Sequence, residues 1–172
     1  MSKDIRMNTN LEIYVALLKV YSDNFYTISI INESIMTDYR NSSIDNCKTH
    51  AYSCKFYKEV SDTIDIAAGY ALHHGYNITS FLGSLNLLSK FGNRFYIPSE
   101  ISSNMEFLEF LRISKRMFSD LLVTIKLIEI PEDTGFKLFR KSKINIYSEN
   151  IDILNNLIEK EKKNISDNKE KD

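Results

Sequence analysis

Three residues with soft, metal-ligating side chains, Cys47, His50 and Cys54, stand at offsets of three and four. A helix through them carries all three on one face. Two thiols and an imidazole at that spacing could hold zinc, but no fourth ligand is evident nearby, and an unpaired cysteine is more commonly a small packed residue. His73 and His74 directly precede Gly75, a place where imidazoles meet the free carbonyls of a helix end more readily than they perform catalysis. The acid pairs Asp62/Asp65 and Glu106/Glu109 read as exposed helix faces. The chain has no nucleophile elbow, no His-Glu-x-x-His and no glycine-rich phosphate loop. No enzyme, cofactor or bound metal is therefore expected.

A second group is cationic. Ser114, Lys115, Arg116 and Ser119 open one amphipathic segment, and Lys137, Arg140, Lys141 and Lys143 follow in another. Between Arg112 and Lys143 there are eight Lys/Arg and four Asp/Glu, a net of +4, while the whole chain carries -1. A basic lobe on an otherwise acidic protein is the distribution expected where one lobe meets nucleic acid. Long donors early on a helix could read base edges in the major groove, and cations on a neighbouring hairpin could hold phosphates. The alternatives are a solvated helix face and a lysine-guarded sheet edge.

The elements that would position these groups follow from pattern. Leu11 to Val20 is a short apolar run that fits a buried strand or a helix equally. Residues 33–50 are polar, with SSIDN as a loop or a helix cap. Ile64, Ala67, Ala68, Ala71 and Leu72 form a helical face, a candidate dimer interface, ending at Gly75. Asn77 can cap a helix through Ile78, Phe81, Leu82, Leu85, Leu88 and Phe91, closed by Gly92. Phe95 to Pro98 reads as extended. Ser103 and Glu106 have capping-box spacing ahead of a short helix through Phe107, Leu108 and Leu111. A break at Arg112–Ile113 then precedes a helix capped by Ser114, with Met117, Phe118, Leu121, Leu122 and Ile125 facing inward. Leu127–Ile130, Phe136–Phe139 and Ile144–Tyr147 alternate with period two and read as strands, with turns at 131–135 and 140–143. An amphipathic helix on Ile151, Leu154, Leu157 and Ile158 closes the chain ahead of a polar tail.

Helix, extended piece, helix, turn, helix and hairpin is the element order of a winged helix-turn-helix. With the stretches ITSFLGSLNLLSKFG, SSNMEFLEFLRISKRMFSDLL, LIEI and KINIY, residues 77–147 resemble the C-terminal DNA-binding domain of the CRP/FNR superfamily, in particular its NtcA-like branch from cyanobacteria and red-algal plastids. TIDIAAGYALHHGYNITSFL is similar to the end of that family's dimerisation helix, and LEIYVALLKVYSDNFYTISIIN to part of its effector-binding β-roll. The resemblance implies a mixed α+β fold: an eroded β-roll remnant over 1–50, a connecting helix over 51–76, a winged helix over 77–150, and a terminal helix and tail over 151–172. It implies a transcription regulator whose partners are duplex DNA, a second copy of the chain and possibly RNA polymerase, working in a plastid stroma or a bacterial-type cytoplasm. Leu108, Arg112 and Asp120 depart from the family's pattern. They keep open a second reading, a helical protein–protein interaction module that uses the apolar face of residues 44–88 and does not bind DNA.

Bulk properties bound both readings. The chain has 172 residues with 43% hydrophobic and 26% charged content, enough for one ordinary domain or two small ones. No apolar run approaches the roughly 18–20 residues of a membrane span, and MSKDIRMNTN lacks a secretory pattern.

Overall fold

The computed structural model describes residues 2–37, 43–98, 105–130 and 133–169. Among these the regular structure is all helix, with no strand: α1 Ser2–Thr37, α2 Ile44–His73, α3 Phe81–Ser89, α4 Phe107–Lys126 and α5 Thr134–Lys169, plus a 3-10 turn at Gly92–Arg94. This overturns the mixed α+β expectation: neither a β-roll remnant nor a wing forms among the described residues. Leu11–Val20 lies inside α1 and is no β-roll strand. Leu127–Ile130 is turn and irregular chain, and Phe136–Phe139 and Ile144–Tyr147 are parts of one continuous α5 rather than a wing. The break expected at Arg112–Ile113 is absent, because α4 runs through it without interruption. The helix expected from residue 151 is the second half of α5, which continues to Lys169 through most of the stretch read as a tail.

The organising feature is α1. From Leu11 to Tyr21 every residue except Glu12 and Lys19 is buried. A helix apolar on all sides has to be surrounded, not laid on a surface. α2 returns antiparallel along it, with Asn46 on Asn32, His50 on Ser29 and Phe56 on Phe25. α4 also runs antiparallel to α1, pairing Met117 with Asn24, Asp120 with Tyr21 and Leu127 with Asn10. α5 returns along α4, where Phe118 meets Tyr147 and the Lys126 carbonyl accepts from Arg140. The order is therefore up, down, down, up. Two neighbours that follow one another and run in the same direction need a crossover the length of the bundle. Residues 74–106 supply it, and α3 within them packs on α1.

Local chemistry sets the helix ends. Ser43 caps α2 by a reciprocal box with Asn46. Gly75 takes φ +80, the left-handed conformation that releases the chain after α2, with His74 at the cap position. Ser80, not Asn77, caps α3. Asp133 caps α5 by accepting from the Phe136 amide at 2.8 Å; that amide and His74 hold its carboxyl below the usual carboxylate range. Residues 133–135 thus start a helix where a hairpin turn was expected, and residues 131–132 of that turn lie outside the described residues. Ser103 of the expected capping box lies outside the described residues, and Glu106 at the N-cap makes no side-chain capping bond.

Inside the bundle Phe25, Phe56, Phe110, Phe118 and Tyr147 form a continuous aromatic column. Polar groups fix its register. The buried Asp120 carboxylate accepts from the Tyr21 hydroxyl at 2.7 Å and from the Tyr96 amide at 2.8 Å, and pairs with the Arg116 guanidinium at 3.2 Å. Burial and the adjoining charge of Asp120 push the Tyr21 phenol far above its ordinary pKa, so it keeps its proton and donates it to the carboxylate. Asp120 thereby joins α1, α4 and the crossover at one point. Asp120→Ala leaves a buried phenol and an amide without an acceptor and is expected to cost about 2–4 kcal/mol. Urea titration checks this, and Tyr21→Phe in the same background should add less than it costs alone.

Candidate functional site

The eight residues expected to touch DNA do not form one surface. Ser114 is fully buried in the middle of α4, where its hydroxyl has no hydrogen-bond partner among the described residues. It caps nothing and faces no groove. Arg116 is held by Asp120 on one side and by the Arg94 carbonyl at 2.9 Å on the other. Ser119 donates to the Lys115 carbonyl, and Lys115 is half-buried. Lys143, one turn after Arg140, turns toward α2. There, half-buried among Glu59 and Asp62, it is pulled below the ordinary lysine pKa by desolvation, against the pull of those two acids.

Lys137, Arg140 and Lys141 are brought together. Spaced three and four apart on α5, they line with Ile144 an open groove of about 220 Å³. Arg140 donates to the Lys126 carbonyl, and its Nε is buried without a partner among the described residues. A wider cleft of about 460 Å³ lies between the crossover and α4, lined by Asn93, Phe95, Tyr96 and Arg116. Among the described residues its only charged group is the guanidinium already paired with Asp120, and they gather no nucleophile with a base there.

Between α2 and α5 a polar network enters the bundle. The Tyr14 and Tyr147 hydroxyls lie 2.7 Å apart in full burial, and both phenols are pushed well above their ordinary pKa by desolvation. One turn along α5, the Asn150 amide donates to the Glu59 carboxylate at 2.8 Å. Desolvation raises the Glu59 pKa against the lowering pull of Asn150, Lys143 and Lys55. These contacts tie α1, α2 and α5 together.

The outer seam of α1 and α2 carries a different arrangement. Tyr26 and Tyr57 face each other with ring centroids 5.2 Å apart, and both are exposed, as is Ile30 one turn beyond Tyr26. Beside them the His50 Nδ1–H donates to the Ser29 carbonyl at 3.0 Å, while its Nε2 lies 3.7 Å from the Cys54 sulfur. Cys54 is exposed. The three-ligand arrangement of Cys47, His50 and Cys54 is not assembled: no group of three or more His, Cys, Asp or Glu among the described residues is placed to hold one ion. The face of Ile64, Ala67, Ala68, Ala71 and Leu72, expected as a dimer interface, packs inside the single chain and leaves only Leu72 well exposed.

Sequence reasoning missed Asp120 as a structural anchor, Glu59, and the Tyr26–Tyr57 pair. Only the four-residue step from His50 to Cys54 announced a local constellation. No protein-family model, curated protein or solved structure matches this chain. No helix among the described residues is long and apolar enough to cross a membrane.

Because the folded state raises the Glu59 pKa, it binds more protons than the unfolded chain above the ordinary value of 4.5. That group's contribution to stability therefore declines as pH rises from 4.5 through the folded pKa. Glu59→Gln keeps an acceptor for Asn150 and removes the titration. Urea midpoints measured across that interval should fall less steeply with pH in the variant than in the natural chain.

Proposed function

We propose that this protein is a helical interaction module that docks an apolar helix of a partner protein along the outer α1–α2 seam. The observation that carries the reading is the exposed Tyr26–Tyr57 pair with Ile30 beside it, at relative exposures of 47%, 36% and 44%. Isolated exposed apolar residues are ordinary, but two aromatic rings held against each other across a helix seam form a pre-ordered contact area. Tyrosine supplies such area with little rotamer entropy to lose and is enriched where binding energy concentrates. The groove between two antiparallel helices accepts a third, as the inner side of this same pair accepts α4. Tyr26→Ser with Tyr57→Ser changes exposed positions and should leave stability within about 1 kcal/mol. Retention of a stoichiometric protein from source-cell extract by the immobilised chain should fall by about tenfold or more in the double variant. Equal retention of every protein by both forms would overturn the reading, and a dimer of the purified chain that the variant dissolves would give the seam to a second copy instead.

A second reading, duplex DNA binding, has one observation in its favour: Lys137, Arg140 and Lys141 share a groove. Contact there would be with the phosphate backbone, with no helix in the major groove. Fluorescence anisotropy on mixed-sequence duplex should then show log affinity falling with log salt. Lys137→Ala and Lys141→Ala should each reduce the slope by ~0.9. No binding at low salt would remove this reading.

A further inference from the structure

We propose that a small cavity between α1, α2 and the crossover binds a primary amine carrying a short apolar tail. The proposal stands on this cavity and does not rest on the docking reading. The space measures about 110 Å³. Buried Val15 and Ala71 form its floor, half-buried Ile78 and Leu87 its walls, and Glu12 and Asn77 stand at its more exposed mouth. Glu12 is one of two residues from Leu11 to Tyr21 that escape burial. The other, Lys19, donates to the Thr79 carbonyl. Glu12 has no such engagement. Among the described residues its carboxylate makes no ion pair or hydrogen bond, and the Asn77 side chain makes no hydrogen bond either.

The carboxylate sets the charge of the ligand, and the order of the lining sets its orientation. An ammonium at Glu12 makes a charge-assisted hydrogen bond, roughly twice as strong as a neutral one. Its tail then covers Val15 and Ala71 and removes their hydrocarbon from water. Asn77, on the same cavity, offers an amide oxygen to a further ammonium hydrogen. The volume is smaller than the ~150 Å³ of an apolar cavity that takes benzene, which limits the tail to about four carbons. A lysine side chain fits the wrong way round, because its ammonium leads and its stem follows. Two sources have the right polarity: a free alkylamine, and the first residue of a peptide whose apolar side chain adjoins its α-amino group.

The test is an NMR titration of the full chain with n-butylammonium, with n-butanol as the neutral isostere and leucinamide as the peptide-terminus probe. Saturable binding of about millimolar affinity is expected for a ligand of this size. The shifts should concentrate on Val15, Ala71, Ile78 and Leu87. Glu12→Gln keeps the side chain's shape and removes its charge. It should weaken butylammonium about tenfold or more and leave butanol within about twofold. Circular dichroism establishes that the variant folds; if it does not, the comparison of butylammonium with butanol on the natural chain decides alone. Absence of saturation, shifts centred elsewhere, butylammonium binding that survives Glu12→Gln, or butanol binding as tightly as butylammonium would each overturn the site. Tighter binding of leucinamide than of butylammonium assigns the amine to a peptide chain, and the reverse assigns it to a free ligand.

Discussion

A helix that is apolar on every side dictates this fold. Leu11, Ile13, Tyr14, Val15, Ala16, Leu17, Leu18, Val20 and Tyr21 leave this stretch of α1 no face for water. Each of these side chains is worth roughly 1.5–3 kcal/mol when buried, so leaving one flank open would expose several at once. Two long antiparallel neighbours cover only part of the circumference. α3 covers another part, which gives the crossover a packing role beyond its need to carry the chain from the end of α2 to the start of α4. Lys19 marks the limit of this enclosure, where its ammonium reaches the Thr79 carbonyl ahead of α3. Burial drives the assembly, but it is indifferent to rotation about the helix axis. The Tyr21–Asp120 and Tyr14–Tyr147 bonds choose the rotation, since either would leave a buried hydroxyl unpaired if α1 turned by one residue.

The same division of labour explains how much of the molecule could be read in advance. The helix ends around Ser43, Gly75 and Gly92 were legible because caps and left-handed glycines are local chemistry. The continuous run at 11–20 was ambiguous by its nature: an all-round apolar helix and a doubly buried strand have no periodicity to tell them apart. The error at 127–147 has a more specific cause. The inward positions of α5 are Phe136, Arg140, Lys143, Tyr147, Asn150, Leu154 and Ile158, a regular helical series. Three of them are polar, with Arg140 and Lys143 laying aliphatic stems along the interior and sending their charges to the edges. Leu138, meanwhile, points outward at 66% exposure. Reading hydrophobicity alone, the eye connects Phe136 with Leu138 and Ile144 with Ile146 and finds a period of two.

The cationic signal misled for a related reason. Lysine and arginine counts measure composition, and a net charge over a segment says nothing of where each head group goes. Arg116 answers Asp120, Lys143 answers Glu59 and Asp62, and Ser114 is packed in the core, so the apparent recognition helix spends its polar groups within the fold. Asp120, which departs from the pattern of the family the segment resembles, is the residue on which three elements converge. A departure from an expected pattern was in this case the strongest pointer to what the segment does.

The α1–α2 seam has the opposite economy, with side chains that are ordered yet left facing water. Ser29 lies one turn beyond Tyr26, and Cys54 one turn before Tyr57, so the imidazole–thiol pair sits at the rim of the aromatic pair. The rings are held against each other before anything binds, so a partner covering them would order little of this chain and lose little side-chain entropy. On the docking reading the seam contributes by being already in place, with no conformational change required of the bundle beneath it.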